Sequence, residues 1–522
     1  MTYKNPIIPG FYPDPSICKK DGVYYLVTSS FEFFPGVPIF RSTDLLNWRQ
    51  IGHCLTRKSQ LNLENVAASK GIYAATIRYN PHNDLFYMVT TNTHDKQKIG
   101  NFFVYTSDPA AEWSDPVFVA QGGIDPSLFF DEDGSAHFIS NARDRTVHKS
   151  GFLMGQIDLA TGEFLTEPQP LWGGIGQNAP EAPHIYRANS YYYQLIAEGG
   201  TELNHMVTIA RSRQLYGTYE PCPQNPILTH QNQKGHQIQG TGHADFIEDE
   251  NGNWWAVFLA YRQTHQYFHH LGRETFLAPV DWVDDWPVIN GGEPIQLDMQ
   301  VGRSPILAEM PPIQHLTQEY GTNFESDFRW VYLRNPDESL YRFTQAGLWL
   351  TGNQYTLSDV ANPAFLGIRQ PHLTGSAEFT FSFSPKNNEE AGVSIFYKFD
   401  AHIDIFVKRS HGKICLFLRK VVGDIAHIES KIPIDPQNGA ESGKIPTITI
   451  KICAEPLKYD IYARLSGGQF FYLGQALTRH VSTESHELGF TGVFYAIYAT
   501  SNGTGKCENA AFFRDCIIRN KD

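Results

Sequence analysis

A short unit recurs five times in the first 300 residues of this 522-residue chain. Each copy reads as a brief apolar strand, a polar turn and a second strand rich in aromatic residues, as in DPSICKKDGVYYLV and DPSLFFDEDGSAHFI. The copies begin 59, 52, 56 and 62 residues apart, at Asp14, Tyr73, Asp125, Glu181 and His243. A repeat of this length is typical of one blade of a propeller. The sequence therefore predicts a five-bladed β-propeller.

The first residues of the five copies are the candidates for a functional site. In a propeller the equivalent strand of every blade faces the central axis, so residues at equivalent positions converge on one mouth. Three of the five are carboxylates, namely Asp14, Asp125 and Glu181. Carboxylates placed together repel one another, which is costly unless some chemistry uses them. We expect a site at the mouth; three solvated turn acids are the alternative.

Composition narrows the class of protein and its partners. The formal net charge is −13, which disfavours nucleic acid as a partner and favours a neutral or weakly charged ligand. No apolar stretch reaches membrane-spanning length, and the start of the chain lacks the pattern of a signal peptide. The seven Cys are scattered without CxxC spacing, as expected of reduced structural thiols. We therefore expect a cytoplasmic protein with no membrane partner.

The pattern of the chain changes near residue 300. Residues 1–302 are predicted to form the propeller, and residues 303–314, RSPILAEMPPIQ, are predicted to be a linker. From 315 to 522, short strands such as HIDIFVKRS and KICLFLRKV alternate apolar and polar residues. Eight or more such strands predict a two-sheet β-sandwich of jelly-roll type. The whole chain is thus predicted to be all-β.

Several motifs in this order resemble glycoside hydrolase family 43, in the branch of β-xylosidases and α-L-arabinofuranosidases. They are NPIIPGFYPDPSIC, GGIDPSLFFDEDG, APEAPHIY, AEGGTELNHMVTIARS, GTGHADFIEDENGNWW and HHLGRETF. The resemblance covers the whole chain and implies a five-bladed propeller followed by a C-terminal β-sandwich. It also implies that Asp14 is the general base, Glu181 the general acid and Asp125 the carboxylate that orients and tunes the acid.

The chemistry of an inverting glycosidase explains these roles. One protonated carboxyl serves the leaving oxygen, and one ionised carboxylate holds a water on the opposite face of the sugar, about 6.5–9.5 Å away. We expect burial and the charge of Asp125 to raise the pKa of Glu181, so that Glu181 keeps its proton near neutral pH. Asp14 is expected to stay ionised.

The resemblance implies further site residues. Arg273 would meet the hydroxyls of the sugar, although an arginine paired with a blade-edge carboxylate is the alternative. Phe31 would wall the deep subsite or, alternatively, lie in the core. Tyr73 would stack on the sugar where relatives carry Trp, which leaves the balance between xylosyl and arabinosyl substrates open. His243 would face a calcium ion or a water cluster, with a hydrogen-bonded structural histidine as the alternative.

A loop of the sandwich is implied to lean over the mouth and to make the enzyme exo-acting. The segment FYAIYATSNGTGKCENAAFF, Phe494 to Phe513, is its expected source. A role of the sandwich in binding carbohydrate is a second option.

The implied function is release of D-xylose from the non-reducing end of β-1,4-xylooligosaccharides by an inverting hydrolase, with α-L-arabinofuranosidase activity on arabinosyl-substituted oligosaccharides. A dedicated α-L-arabinofuranosidase acting on arabinoxylan or arabinan side chains is one alternative. A sugar-binding propeller without catalysis is another. Relatives of this build are often homo-oligomers, but no repeat or patch in the sequence indicates one.

Overall fold

The computed structural model describes residues 1–94, 100–144, 149–303, 319–321, 323–434, 447–487, 489–503 and 505–521. Within these ranges the fold is almost entirely β, with four short 3₁₀ helices at Asn290–Gly292, Glu338–Leu340, Thr478–Val481 and Thr483–Ser485. None of the helices there is long and apolar enough to cross a membrane. The predicted linker falls, except for Arg303, outside the described residues, so the domain boundaries stay predictions.

The first part of the chain consists of short strands separated by turns. They are β1 (Thr2–Lys4), β2 (Ser16–Lys20), β3 (Val23–Val27), β4 (Phe33–Phe34), β5 (Gly36–Ser42), β6 (Arg49–Leu55), β7 (Thr76–Asn80), β8 (Leu85–Asn92), β9 (Gly100–Thr106), β10 (Val117–Val119), β11 (Ile124–Phe130), β12 (Ala136–Asp144), β13 (Lys149–Gln156), β14 (Gln169–Pro170), β15 (Glu181–Ala188), β16 (Tyr191–Glu198), β17 (Met206–Ser212), β18 (Glu220–Pro221), β19 (Leu228–Thr229), β20 (Ile238–Glu248), β21 (Trp254–Arg262), β22 (Glu274–Val283), β23 (Trp286–Ile289) and β24 (Asp298–Gln300).

These strands form five antiparallel sheets, which are the predicted blades. The sheets have the orders β2-β3-β5-β6, β7-β8-β9-β10, β11-β12-β13-β14, β15-β16-β17-β18 and β20-β21-β22-β23, and β19 also pairs with β17. The first strand of each sheet contacts the first strand of the next, and β20 contacts β2, so the ring is closed. β1 pairs with β24 and thereby joins the two ends of the propeller.

A buried ion pair links the inner strands along the axis. Arg78 of β7 donates from Nη1 and Nη2 to the carboxylate of Asp245 in β20, at 2.7 and 3.0 Å. Asp245 also accepts hydrogen bonds from Ser16 of β2 and Tyr186 of β15. Loss of one partner would leave a buried charge uncompensated, which is strongly destabilising. The network therefore fixes the relative positions of the strands that carry the mouth residues.

The second part of the chain is a sandwich of two sheets. Its strands are β25 (Glu319–Gly321), β26 (Tyr332–Leu333), β27 (Tyr341–Thr344), β28 (Gly347–Thr351), β29 (Ala364–Arg369), β30 (Gly375–Ser382), β31 (Glu390–Lys398), β32 (Ala401–Ser410), β33 (Lys413–Val422), β34 (Ile425–Pro433), β35 (Ile448–Glu455), β36 (Lys458–Leu465), β37 (Phe471–Leu477), β38 (Phe494–Thr500) and β39 (Ala510–Asn520).

One sheet of the sandwich has eight strands and the other has six. The first contains β27-β28-β39-β30-β35-β36-β37, with β25 paired to β39, and the second runs β29-β38-β31-β32-β33-β34. Alternate residues of β32, Ile403, Ile405 and Val407, enter the core between the sheets. This arrangement confirms the predicted propeller followed by a β-sandwich.

The outer face of the six-stranded sheet packs against the propeller. Phe11, Phe31 and Phe33 of the propeller share one buried cluster with Phe365 and Phe494 of the sandwich. β4 and β26 pair across the same boundary. Gly272 sits here with φ +80, and a Cβ at this position would lie 2.9 Å from Gly492, so only glycine fits. The two parts of the chain thus meet beside the mouth of the propeller.

Candidate active site

The backbone at the mouth is left-handed in four of the five blades. Asp14, Asp125 and His243 have φ of 55, 52 and 47, and Ala182, next to Glu181, has φ of 53. Asp and His enter this region more readily than most residues. The pairing of β11 with β12 and of β20 with β21 is interrupted by register shifts around Asp125 and His243. Such bulges re-aim side chains and occur often beside active sites.

Glu181 does not occupy the same backbone position as Asp125, although the repeat aligns them. In β11 the pairing shifts between Ile124 and Ser127, and in β15 it shifts between Glu181 and His184. Glu181 therefore corresponds to Ile124, and Ala182, with φ 53, corresponds to Asp125. The predicted equivalence was wrong by one residue. Glu181 therefore lies one residue before the position equivalent to Asp125, and its carboxyl still enters the mouth.

Asp14 is a buried carboxylate held by three groups. Ser29 donates to its Oδ2, Nη1 of Arg273 donates to its Oδ1 at 2.9 Å, and Nδ1 of His243 lies 3.8 Å from Oδ1. Burial alone would raise the pKa of Asp14, but Arg273, His243 and the hydrogen bond from Ser29 outweigh it and lower that pKa. Asp14 is therefore ionised, as expected of a base.

Three more side chains of the mouth lie close to Asp14. They are those of Asp125, Glu181 and His243, which have atoms within 4.8 Å of one another. Burial, followed by the charge of Asp14, raises the pKa of Glu181 to about 7. Burial, followed by the charges of Glu181 and Asp14, raises the pKa of Asp125 well above its usual value. Both shifts favour retention of a proton by these carboxyls near neutral pH. The charge that adds to burial at Glu181 is that of Asp14, whereas the sequence pointed to Asp125.

Arg273 connects the base to both parts of the chain. Besides Asp14, it donates to Oγ1 of Thr201 at 2.9 Å and to the carbonyl of Phe490 in the sandwich at 3.3 Å. Its Nε has no hydrogen-bond partner among the described residues. The predicted alternative, an arginine paired with a carboxylate, is therefore present here, but the carboxylate is the candidate base. Contact of Arg273 with the sugar stays a prediction.

His205 is a site residue that the sequence did not single out. It is fully buried, its Nδ1 lies 3.1 Å from the carbonyl of Gly240, and its Nε2 lies 4.0 Å from Oε1 of Glu181. Burial is the main cause that lowers the pKa of His205 to about 3, so the ring is neutral. His205 lies within AEGGTELNHMVTIARS, one of the motifs that carry the family resemblance, and this was the sequence feature from which its role could have been suspected. Its proximity to Glu181 comes from folding and cannot be read from spacing.

Comparison with known proteins identifies the family. The family model described as "Glycosyl hydrolases family 43" matches residues 3–287. The model described as "Beta xylosidase C-terminal Concanavalin A-like domain" matches residues 322–515. The chain belongs to glycosyl hydrolases family 43. This family 43 protein is a glycoside hydrolase, as its motifs implied.

Two curated relatives and one solved structure match it over nearly their full length. It is 36% identical to the non-reducing end α-L-arabinofuranosidase BoGH43B of Bacteroides ovatus, over 98% of this chain and 94% of that protein. It is also 36% identical to a xylosidase/arabinosidase of Butyrivibrio fibrisolvens, over 96% of each chain. The solved structure of xylan β-1,4-xylosidase from Bacillus halodurans C-125 superimposes with a TM-score of 0.90 at 28% identity, covering 99% of this chain and 100% of that one.

An aromatic wall lines one side of the site in this family 43 enzyme. The ring of Phe31 lies 5.5 Å from that of Tyr73 and 6.0 Å from that of Phe490, measured between centroids. The guanidinium of Arg273 lies 5.8 Å from the Phe31 ring and 5.6 Å from the Phe490 ring. Lys70 donates to the Tyr73 hydroxyl at 3.1 Å. Phe31 thus belongs to a buried cluster and also borders the site residues.

The part of the sandwich that reaches the mouth lies just before the predicted segment. Phe494–Thr500 is the buried strand β38, and the turn after it contacts other parts of the sandwich, as Ser501 and Gly503 do with Asn353 and Gln354. Phe490, by contrast, bonds Arg273 through its carbonyl and Ser69 through its N–H. The prediction of Phe494 to Phe513 was wrong. The sequence favoured the polar, Gly-rich turn because such a composition is typical of a loop, whereas the short loop before β38 has no comparable signal.

The donor set at the mouth does not suit calcium. Asp125, Glu181 and His243 are, among the described residues, a group able to reach one ion. They offer two carboxyls and one imidazole, whereas calcium prefers six to eight oxygen ligands. An ion bound there would also require Glu181 to lose the proton that its raised pKa retains. No step of the chemistry below therefore passes through a metal.

Proposed function

We propose that this enzyme is an exo-acting, inverting hydrolase that releases D-xylose from the non-reducing end of β-1,4-xylooligosaccharides and also acts on α-L-arabinofuranosides. The observation that carries this proposal is that two carboxyls at the mouth of the propeller have opposite pKa shifts. Asp14 has a lowered pKa and Glu181 has a pKa raised to about 7. One ionised and one protonated carboxyl is the state that acid–base hydrolysis of a glycoside requires.

Each carboxyl then has a distinct task. Asp14, ionised and held by Arg273 and Ser29, takes a proton from the attacking water. Glu181 gives its proton to the leaving oxygen, so that the leaving sugar departs as a neutral alcohol. Asp125 lies beside Glu181 and is proposed to orient it, while its own raised pKa keeps it from adding a negative charge there at neutral pH. The products are xylose and a shortened oligosaccharide, and water supplies the atoms added to both.

The substrate class follows from the walls of the site and from the relatives. Phe31, Tyr73 and Phe490 present apolar faces beside Arg273, whose donors suit neighbouring hydroxyls. Because the propeller and the sandwich both contribute to this wall, we infer a pocket that is closed on one side. Such a pocket admits the end of an oligosaccharide. The similarity to enzymes described as xylosidase and arabinosidase supports pentosyl substrates.

The test of these roles uses two substrates. Glu181→Gln should lower kcat on xylobiose by about 10²-fold or more, because general acid catalysis contributes roughly 10²–10⁴-fold. The same variant should lose much less on 2,4-dinitrophenyl β-D-xyloside, whose leaving group needs no proton. Asp14→Asn should lose activity on both substrates, because water attack is common to them. Initial rates on the two substrates give the answer.

The control is the folded state of each variant, measured by circular dichroism and thermal melting. Near wild-type rates of either variant on xylobiose would contradict the assignment. Binding of xylooligosaccharide by the wild type without release of xylose would favour the sugar-binding propeller instead.

A dedicated α-L-arabinofuranosidase is the second candidate, and one observation favours it. Tyr73, half-buried beside Phe31, carries a hydroxyl that Lys70 engages, where the resemblance leads one to expect Trp. This wall is more polar and smaller than an indole, which alters the fit of a pyranose. Comparing kcat/KM on xylobiose with that on arabino-oligosaccharides decides between the two activities.

Three further properties stay predictions. They are a cytoplasmic location, a homo-oligomeric state and a calcium ion at His243, which the donor set of the mouth does not favour. All seven Cys are free thiols in the structure, and this supports a reducing compartment.

A further inference from the structure

The segment that leads into the general acid has little regular structure of its own. Residues 173–180, GGIGQNAP, lie between β14 and β15 without strand pairing, and most of them are exposed. Glu181 follows directly as the first residue of β15. Three glycines give this segment many accessible conformations. A proton donor must nevertheless be held to within about 0.5 Å of its productive position.

A buried carboxylate lies against this segment. Glu198, the last residue of β16, is fully buried. Its Oε2 accepts the N–H of Ile175 at 3.0 Å and the hydroxyl of Thr208 at 2.6 Å, and its Oε1 accepts the N–H of Gln177 at 3.0 Å. Charge-assisted hydrogen bonds of this kind are roughly twice as strong as neutral ones. Glu198 thereby fixes two backbone groups four and six residues before the acid.

The neighbouring residues fit the segment to this carboxylate. The N–H of Gly199 donates to the carbonyl of Asn178 at 2.6 Å. Gly174 has φ +96, and a Cβ at this position would lie 2.6 Å from the carboxyl group of Glu198. The segment can therefore lie on Glu198 only because residue 174 has no side chain. These contacts concentrate on the residues immediately upstream of Glu181.

We propose that Glu198 is a positioning residue for the general acid, because it holds the backbone of residues 175 and 177 and so places the Glu181 carboxyl against the leaving oxygen. The inference rests on the proposed function of Glu181. Glu198 acts through the loop, since its own side chain is buried and bonded to protein groups. A carboxylate that served only the stability of the fold would give a different pattern of rates.

The dependence on the leaving group separates positioning from stability. Misplacement of Glu181 slows reactions that need a proton at the leaving oxygen and spares those that do not. General destabilisation removes folded enzyme and lowers all rates together. Xylobiose and 2,4-dinitrophenyl β-D-xyloside represent the two kinds of substrate.

Glu198→Gln tests the proposal in the full-length enzyme. The amide keeps the size of the side chain but places a donor against groups that also donate. We expect kcat on xylobiose to fall by about tenfold or more and kcat on the dinitrophenyl xyloside to stay within about twofold. This loss would be part of the roughly 10²–10⁴-fold that acid catalysis contributes. Equal losses on both substrates, or no loss on xylobiose, would overturn it.

Asp249→Asn is the matched control. Asp249 is also buried and accepts the backbone N–H groups of Asn251 and Asn253, but it lies in the turn between β20 and β21, six residues beyond the mouth position His243. Its replacement should affect thermal stability without preference between the substrates.

A second variant covers the case in which Glu198→Gln does not fold. Gly174→Ala leaves the carboxylate in place and displaces the loop from the other side, so it should reproduce the selective loss on xylobiose; an equal effect on both substrates would contradict the proposal. Glu181→Gln, measured in parallel, distinguishes a failure of the positioning role of Glu198 from a failure of the acid role of Glu181. Full activity of that variant on xylobiose would refute the acid assignment itself, whatever Glu198 does.

Discussion

At the scale of single residues, the environment gives similar groups different roles. Asp14 and Asp125 are buried carboxyls and Glu181 is half-buried, and removal from water disfavours the ionised form of each. Asp14 alone bonds the guanidinium of Arg273, which compensates its charge. Glu181 experiences the charge of Asp14 without a comparable partner. The base and the acid are thus distinguished by Arg273 together with His243 and Ser29, although their intrinsic pKa values are nearly equal.

The same division predicts the pH dependence of activity. Asp14 must be ionised, and its lowered pKa keeps it so down to pH values below the usual carboxyl range. Glu181 must be protonated, so kcat/KM on xylobiose should fall as the pH rises through about 7. For the dinitrophenyl xyloside this alkaline limb should weaken, because no proton is needed at its leaving group. Identical alkaline limbs for both substrates would contradict the role of Glu181.

At the scale of elements, the mouth is completed by a loop from outside the propeller. Phe490 precedes β38, and its carbonyl and N–H bond Arg273 and Ser69. Its ring lies 6.0 Å from Phe31 and so extends the aromatic wall. The loop is held in place from the propeller side, since the N–H of Val493 donates to the carbonyl of His270. The substrate pocket therefore depends on both parts of the chain.

Replacement of Phe490 tests this dependence. Phe490→Ala keeps the backbone bonds to Arg273 and Ser69 and removes only the ring, so KM for xylobiose should rise while thermal stability changes little. A loss of about 1.5–3 kcal/mol in binding corresponds to roughly 10- to 150-fold in kcat/KM. Tyr472→Ala, an exposed aromatic of β37, is the control and should have no effect. An unchanged kcat/KM for Phe490→Ala would show that the ring does not meet the substrate.

The sequence predicted the elements well because the blades repeat. Each copy carries its own turn signals and apolar alternation, so five blades and the convergence of Asp14, Asp125, Glu181 and His243 follow from local pattern. The one-residue offset of Glu181 could not be predicted, because a bulge changes register without changing the spacing of motifs. His205 could not be placed either, since its proximity to Glu181 depends on how neighbouring strands pack.

At the scale of the whole molecule, the fold brings together groups that are distant in sequence. Five inner strands close into a ring, and the network around Asp245 joins four of them, β2, β7, β15 and β20. The sandwich packs its six-stranded sheet on the same side as the mouth and contributes Phe490. In this arrangement different strands carry the proton donor and the base, and the proposed mechanism is a single displacement by water. Such a displacement inverts the anomeric centre.

Proton NMR of xylobiose hydrolysis reports which anomer the enzyme releases. At high enzyme concentration the first anomeric signal can be recorded before mutarotation mixes the products. If water displaces the leaving sugar in one step, α-D-xylose appears first from the β-linked substrate. Initial release of β-D-xylose would contradict such a displacement.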